Sequence, residues 1–365
     1  VRQIPLLVAI FVCFSCKHGM NEKLTSYIDV TEDIVVPKHY IVSKNEGDIV
    51  IDGISNESSW KMAKFSDSFI DIEGIDTPKY DTKIKMLWDE EYLYVYSEME
   101  EPHIWADIKN RDEVIFYNND FEVFIDPSGT TKNYAEIEIN ALGTVWDLLL
   151  DKPYRSSGKP NNHWNLNKLK SAVHINGTIN DSSDIDSMWS VEMAIPMKAL
   201  MELGLKPYPK IDNGDQWRIN FSRVEWNYDI VDSKYQRKKV NDKFLKEYNW
   251  VWSNQKVINM HEPEKWGVLQ FTNEVSSLGV VYKENEEMEI QQVAYALFRQ
   301  TKFGSLKEFM NLKVGKIKNV SVKFSEKEPI IATFYKTNFG FEFKIRIKES
   351  DKIFIINEEG VLKKV

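Results

Sequence analysis

The chain has 365 residues, 42% of them hydrophobic and 28% charged, with a formal net charge of −9. At roughly 100–200 residues per domain this describes a globular chain of about two domains. The acidic balance, with no Lys/Arg stripe interleaved with aromatics, excludes a nucleic-acid footprint, and the only two cysteines, Cys13 and Cys16, leave the body with no internal disulfide, thiol nucleophile or thiolate metal site.

Residues 1–16 read as a targeting segment. Arg2 supplies a positive start, and Ile4 to Phe14 form an apolar run too short to cross a ~30 Å hydrocarbon core as a helix. Ser15–Cys16 places a small residue before a cysteine, as in a bacterial lipobox, which makes Cys16 the lipidated first residue of the mature chain. An ordinary signal peptide followed by a chance cysteine is the alternative. Residues 17–36 are polar and read as a tether. The expected product is exported and lipid-anchored in the bacterial cell envelope, at the outer membrane, on its periplasmic or surface face.

Residues 37–272 are dominated by strand patterns. Lys83–Trp88 and Tyr92–Tyr96 flank Asp89-Glu90-Glu91, and Phe121–Ile125 ends at the turn Asp126-Pro127-Ser128-Gly129. Tyr134–Ile139 and Val145–Leu150 bracket a hairpin loop, and Ala172–Ile175, Trp189–Ile195, Trp217–Phe221 and Gly267–Phe271 follow. Pro196 stops a strand and Met197–Leu203 has helical spacing. Many short strands without βαβ alternation predict a mainly β protein, an antiparallel, jelly-roll-like β-sandwich. Residues 275–365 predict a small α+β domain of unknown role. It comprises a helix over Glu284–Thr301, then strands over Val320–Phe324, Ile330–Tyr335, Phe341–Ile347 and Ile353–Ile356.

The order of motifs carries a resemblance. Ile51-Asp52-Gly53 with Trp60 comes first, then Trp88 to Val95, then Asn119-Asp120-Phe121-Glu122-Val123-Phe124-Ile125-Asp126-Pro127. Glu136-Ile137-Glu138-Ile139-Asn140 with Gly143, Trp189 to Pro196, and Trp217 to Arg223 complete the series. Together they resemble the family-nine carbohydrate-binding module, in the stand-alone form found in Bacteroidetes lipoproteins, over residues 37–272. The resemblance implies a β-sandwich that holds a sugar between two aromatic rings, with structural calcium as a common accompaniment and no required cofactor. It also implies fragments of xylan, cellulose or a related glycan as the partner.

A pyranose has apolar C–H faces and a polar rim, so it needs an aromatic platform and hydrogen-bonding side chains at its edge. Tyr117 or Trp105 is the expected first ring, and Trp250 or Trp252 the second, because alternation points Trp250 and Trp252 to one side of an extended segment. Wall packing is the competing role for each ring. Arg111, Asp112, Asn119, Asp120, Glu122, Glu138 and Asn140 are the expected rim, with Trp146 and Trp164 beside the cleft. The family often places an arginine near the position of Glu138. Trp60 and Trp88 read as core.

Calcium would need clustered oxygens. The turn after Asp126, the stretch Asn180–Asp186 and Asp212-Asn213-Gly214-Asp215 are oxygen-rich, though ordinary Asx-rich turns are the favoured account of them. His103, His163 and His261 read as loop residues without partners. The leading expectation is non-catalytic glycan binding. The alternatives are a glycoside hydrolase or lyase working through Glu122 and Glu138, and a cell-envelope assembly lipoprotein with a protein partner.

Overall fold

The computed structural model describes residues 26–204, 210–347 and 352–365. The targeting segment with Cys16, and the first residues of the tether, lie outside the described residues. Among the described residues no helix is long and apolar enough to cross a membrane.

The chain opens on β1 (Ser26–Asp29) and continues through β2 (His39–Lys44), the short helix α1 (Ser58–Met62), β3 (Ile70–Asp71), β4 (Thr82–Trp88) and β5 (Tyr92–Glu100). Next come β6 (Asp120–Asp126), β7 (Tyr134–Asn140), β8 (Val145–Leu150), β9 (Pro160–Asn161), β10 (Lys170–Asn176) and β11 (Met188–Pro196), which runs straight into α2 (Met197–Leu203). After β12 (Gln216–Glu225) lie two hairpins, β13 (Tyr228–Val231) with β14 (Lys234–Arg237) and β15 (Lys239–Val240) with β16 (Lys243–Phe244). β17 (Tyr248–Val251) and β18 (Gly267–Phe271) close this part.

These strands form two sheets packed face to face, the expected β-sandwich. One has the order β10-β11-β5-β4-β2; the other runs β18-β12-β6-β7-β8-β9, with β17 beside β12 and β3 beside β17. β2 joins them, pairing in parallel with β4 through Ser43–Lys44 and with β18 through His39–Val42. Alternation explains the packing. Phe121, Val123 and Ile125 of β6 and Ile137 and Ile139 of β7 point inward against Met86, Val95, Val191 and Met193 of the opposite sheet. Asp120, Glu122 and Phe124 therefore point to the outer face of β6.

The motif residues that carried the resemblance are mostly scaffold. The indole N–H of Trp60 donates to Glu192 Oε1 (2.8 Å), and the amides of Asp52 and Gly53 donate to Glu192 Oε2 (3.0 Å each). Gly53 has φ +86°, and a Cβ there would lie 2.6 Å from the His174 amide nitrogen, so this corner requires glycine. Trp60 and Trp88 are buried as expected.

Beyond the sandwich, α3 (Met288–Phe303) packs on a sheet of β19 (Ile317–Lys323), β20 (Ile330–Lys336), β21 (Phe341–Arg346), β22 (Ile353–Asn357) and β23 (Leu362–Lys364). The expected helix-plus-sheet unit is present, but it begins far upstream. β1 pairs in parallel with β19, and Ile28 and Val30 enter its core. Residues 26–29, assigned to a tether on composition, are an edge strand. The exposed edge of β19 takes them up because Tyr27-Ile28-Asp29-Val30 alternates out and in.

The two units meet through buried charge. Arg155 reaches both carboxylate oxygens of Glu264 (2.7 Å each), and Arg299 of α3 reaches Glu264 Oε1 (2.7 Å). Lys265 pairs with Glu262 at 2.8 Å beside them. Burial by itself would raise the Glu264 carboxyl, but the two guanidinium groups outweigh it and hold it down at about 2.

Candidate functional site

The outer face of the second sheet is concave, and its floor is acidic. Glu122 of β6 stands directly opposite Glu138 of β7, with Ser222 of β12 on the other flank of Glu122 and Trp146 of β8 on the other flank of Glu138. Glu136 lies two residues from Glu138 on the same face, and Asp120 two residues from Glu122. Loops wall the floor: the turn Ile115–Tyr117 on one side, Tyr154 and the segment around Asn259 to His261 on the other. The resulting pocket encloses about 310 Å³, at the lower end of the ~300–1,000 Å³ usual for small-molecule sites.

One carboxylate oxygen from each of Asp120, Glu122 and Glu138 lies within 4.8 Å of the others, and all three residues are buried. No lysine or arginine lines the pocket. The one imidazole there, His261, is 4.0 Å from Glu136 Oε2 and is held neutral, its pKa lowered by burial to about 3. The carboxyls are consequently hard to ionise. Burial, then the neighbouring Glu247, pushes Glu122 up to about 7, although Ser222 works the other way. Asp120, Glu136 and Glu138 are also held well above the carboxylate range, by burial first and then by the charge of Glu122. Such a floor can exchange hydrogen bonds with hydroxyl groups, and a positive charge placed on it would relieve the mutual repulsion that raises its carboxyls.

The expected site residues separate into four groups. Glu122, Glu138 and Trp146 do line this pocket, Asp120 lies buried against the Glu122 and Glu138 carboxylates, and Tyr117 sits half-exposed next to Phe116 at its rim. Asn119 and Asn140 are structural. Asn119 bridges Glu101 and Glu225 (3.2 and 2.9 Å), while the Asn140 amide donates to Ile108 O (2.8 Å) and its Oδ1 accepts from Leu142 and Thr144. Arg111 and Trp164 line a separate, open groove of about 1150 Å³, where Arg111 pairs with Asp147.

The fourth group is a correction. Trp250 and Trp252 do point to one side, but that side is the interior: each is 1% exposed, within the core between the sheets. Trp250 packs under the buried Arg223 guanidinium (5.1 Å), and Phe221 and Gly267 abut Trp252. Trp105 is covered as well, because the hairpin β13–β14 folds over it and stacks Tyr235 on its ring at 6.3 Å. None of the three can serve as a platform. Alternation fixes that two residues share a face, and only the second sheet decides which face is covered.

Most of the pocket lining escaped the sequence reading, Glu136, Tyr154, Asn249 and His261 among it. Glu136 was discoverable, since Glu136-Ile137-Glu138 alternates and both carboxylates must share a face. Tyr154, Asn249 and His261 come from three remote loops or strands, and no local signal joins them. His261 does have partners, with Tyr134 Oη 3.0 Å from its Nδ1, and His103 Nδ1 lies 2.9 Å from Tyr235 Oη.

Oxygens in two of the anticipated calcium stretches serve as backbone caps. Asp126 accepts from the amides of Ser128, Gly129 and Thr131. Asp186 accepts from Ile104 and Thr178, and Asn180 Oδ1 from Ala106. These are the Asx-type caps of ordinary loops.

No curated protein matches the chain. Among solved structures, a family 9 carbohydrate-binding module from Caldicellulosiruptor kristjanssonii in complex with cellotriose aligns at 15% identity and a TM-score of 0.42, covering 68% of this chain and all of that one. The same organism's module in complex with glucose aligns at 15% identity and 0.41, covering 65% of this chain and 96% of that one. A protein from Bacteroides uniformis described as a candidate for carbohydrate binding aligns at 16% identity and 0.44, covering 65% and 100%. The family model described as carbohydrate family 9 binding domain-like matches residues 51–274, the stretch that folds into the two sheets and builds the acidic pocket, and the chain belongs to that family.

Proposed function

We propose that this protein captures a glycan in the acidic pocket of the second sheet, without acting on it chemically. The observation that carries this is the meeting of flat rings and buried carboxylates in one concave site on a family 9 domain. Tyr154, Phe116 and Trp146 supply ring surface for the C–H face of a sugar. The Trp146 indole N–H, which has no partner, and the carboxylates beneath it supply the polar rim. Glu122 and Glu138 rise side by side from adjacent strands of one floor, which suits holding a ring edge. Acid and base in a glycoside hydrolase instead flank the bond between them. Fragments of xylan, cellulose or a related plant-type glycan are the proposed ligands. Export and lipid anchoring through Cys16 in the bacterial cell envelope would place the pocket where such fragments arrive.

The test is a glycan array followed by affinity gels with the chain cleaved before Cys16. Retardation without release of reducing sugar is expected, abolished by Tyr154→Ala and unaffected by Trp164→Ala. Reducing-sugar release would replace binding with hydrolysis, and loss only in Trp164→Ala would move the ligand to the other groove. Indifference to every glycan would favour a protein partner.

A further inference from the structure

Three buried carboxylates away from the pocket are fully satisfied. Glu192 receives two amides and an indole N–H, Asp126 receives three amides and a hydroxyl, and Glu264 receives two guanidinium groups. Satisfied buried polar groups are the rule in folded proteins. The pocket floor breaks it. Asp120 is fully buried, and neither of its oxygens has a well-formed hydrogen bond, although the Val224 backbone lies near enough to favour its charged form. Ser222 Oγ is buried beside Glu122, and Glu136 Oε2 beside Glu138, and neither has a hydrogen-bond partner outside this cluster of carboxyls. Glu138 has a single donor, the Phe116 amide at 3.1 Å.

We propose that Asp120, Glu122 and Glu138 bind one divalent cation of the calcium class at the floor of the pocket. The geometry matches the chemistry. Oxygens on opposite sides of an ion with ~2.4 Å metal–oxygen bonds are at most ~4.8 Å apart, and one oxygen from each residue falls within 4.8 Å of the others. The donors are all oxygen, with neither thiolate nor imidazole among the three, which selects a hard cation. Ser222 Oγ, in register with Glu122, is available as a fourth donor. Coordination is then incomplete on the side that opens to the cavity, where water or two neighbouring hydroxyls of a ligand complete it. That last step rests on the glycan reading, whereas the ion site does not.

The full chain, stripped of metal with a chelator and returned to chelator-free buffer, is titrated with calcium chloride by calorimetry. In parallel it is titrated with terbium, whose emission is excited through Trp146, the cross-strand neighbour of Glu138. One ion per chain is expected, with terbium emission displaced by calcium. Asp120→Asn and Glu122→Gln each weaken calcium binding by roughly tenfold or more. Trp146→Phe abolishes the sensitised emission while the calcium stoichiometry persists, which keeps the test decisive even where an acidic-site variant fails to fold. No uptake by the native chain, or undiminished uptake in both acidic-site variants, overturns the site, as does sensitised emission that survives Trp146→Phe. Glycan capture is measured separately on stripped and calcium-loaded chain. Capture lost on chelation supports a shared role for the ion, and capture unchanged by chelation overturns that role while leaving the ion count to stand or fall by itself.

Discussion

Glu264→Gln tests the physical link between the sandwich and the C-terminal unit. Glu264 is the common acceptor of Arg155 and Arg299, and the side chains of Glu264, Arg155 and Arg299 are 1%, 6% and 10% exposed. Glutamine keeps the shape and removes the charge, leaving two buried guanidinium groups without their shared counter-ion. Breaking a buried pair from one side costs about 3–5 kcal/mol. The lower end applies here, because Glu262 remains 3.7 Å from Arg155 and 4.0 Å from Arg299. At about 2.1 cal/mol/K per residue, a chain of 365 residues has an unfolding entropy of about 0.8 kcal/mol/K, so ~3 kcal/mol lowers Tm by about 4 °C. The pH dependence supplies an independent check. Glu264 is depressed to about 2, so its stabilisation is complete above the ordinary carboxylate pKa near 4.5 and is lost as pH falls toward 2. The difference between native and Glu264→Gln chains, measured by scanning calorimetry, should therefore be largest at pH 7 and should narrow by pH 3. A shift under about 1 °C at pH 7, or a difference as large at pH 3 as at pH 7, would refute the account of the buried pair.

Trp252→Ala should destabilise the sandwich by about 3–5 kcal/mol, as expected for emptying a large core site. Chemical denaturation should therefore show loss of fold before any selective loss of glycan binding. Gly267→Ala pushes a Cβ to 2.2 Å from the Trp252 ring and should cost about 1–3 kcal/mol by overpacking, read as a lower denaturation midpoint at unchanged m-value. Ile28→Asp places a charge in the core of the C-terminal unit and should release β1 from β19. Amide exchange of Val320 and Val322 should then speed up while β6 and β7 stay protected.

The sequence alone determined a good deal. Period-two alternation from Lys83 to Phe271 marked the strands, and Met197–Leu203 was readable as a helix to the residue. The order of motifs, chiefly Trp60, Asn119 to Pro127 and Trp189 to Pro196, was enough to recognise the family and its sandwich, because those residues meet local demands: a strict turn, a buried indole, a backbone cap. What tertiary structure decided was facing and convergence. Trp250 and Trp252 share a side whichever way the strand lies, but only the opposing sheet turned that side into the core. Glu136, Tyr154 and His261 acquire their neighbours by sheet registry and loop closure, and β1 acquires its partner almost three hundred residues downstream. Alternation is a property of one strand, whereas inside and outside are properties of what packs against it. A site assembled from separate strands becomes visible only when their register is known.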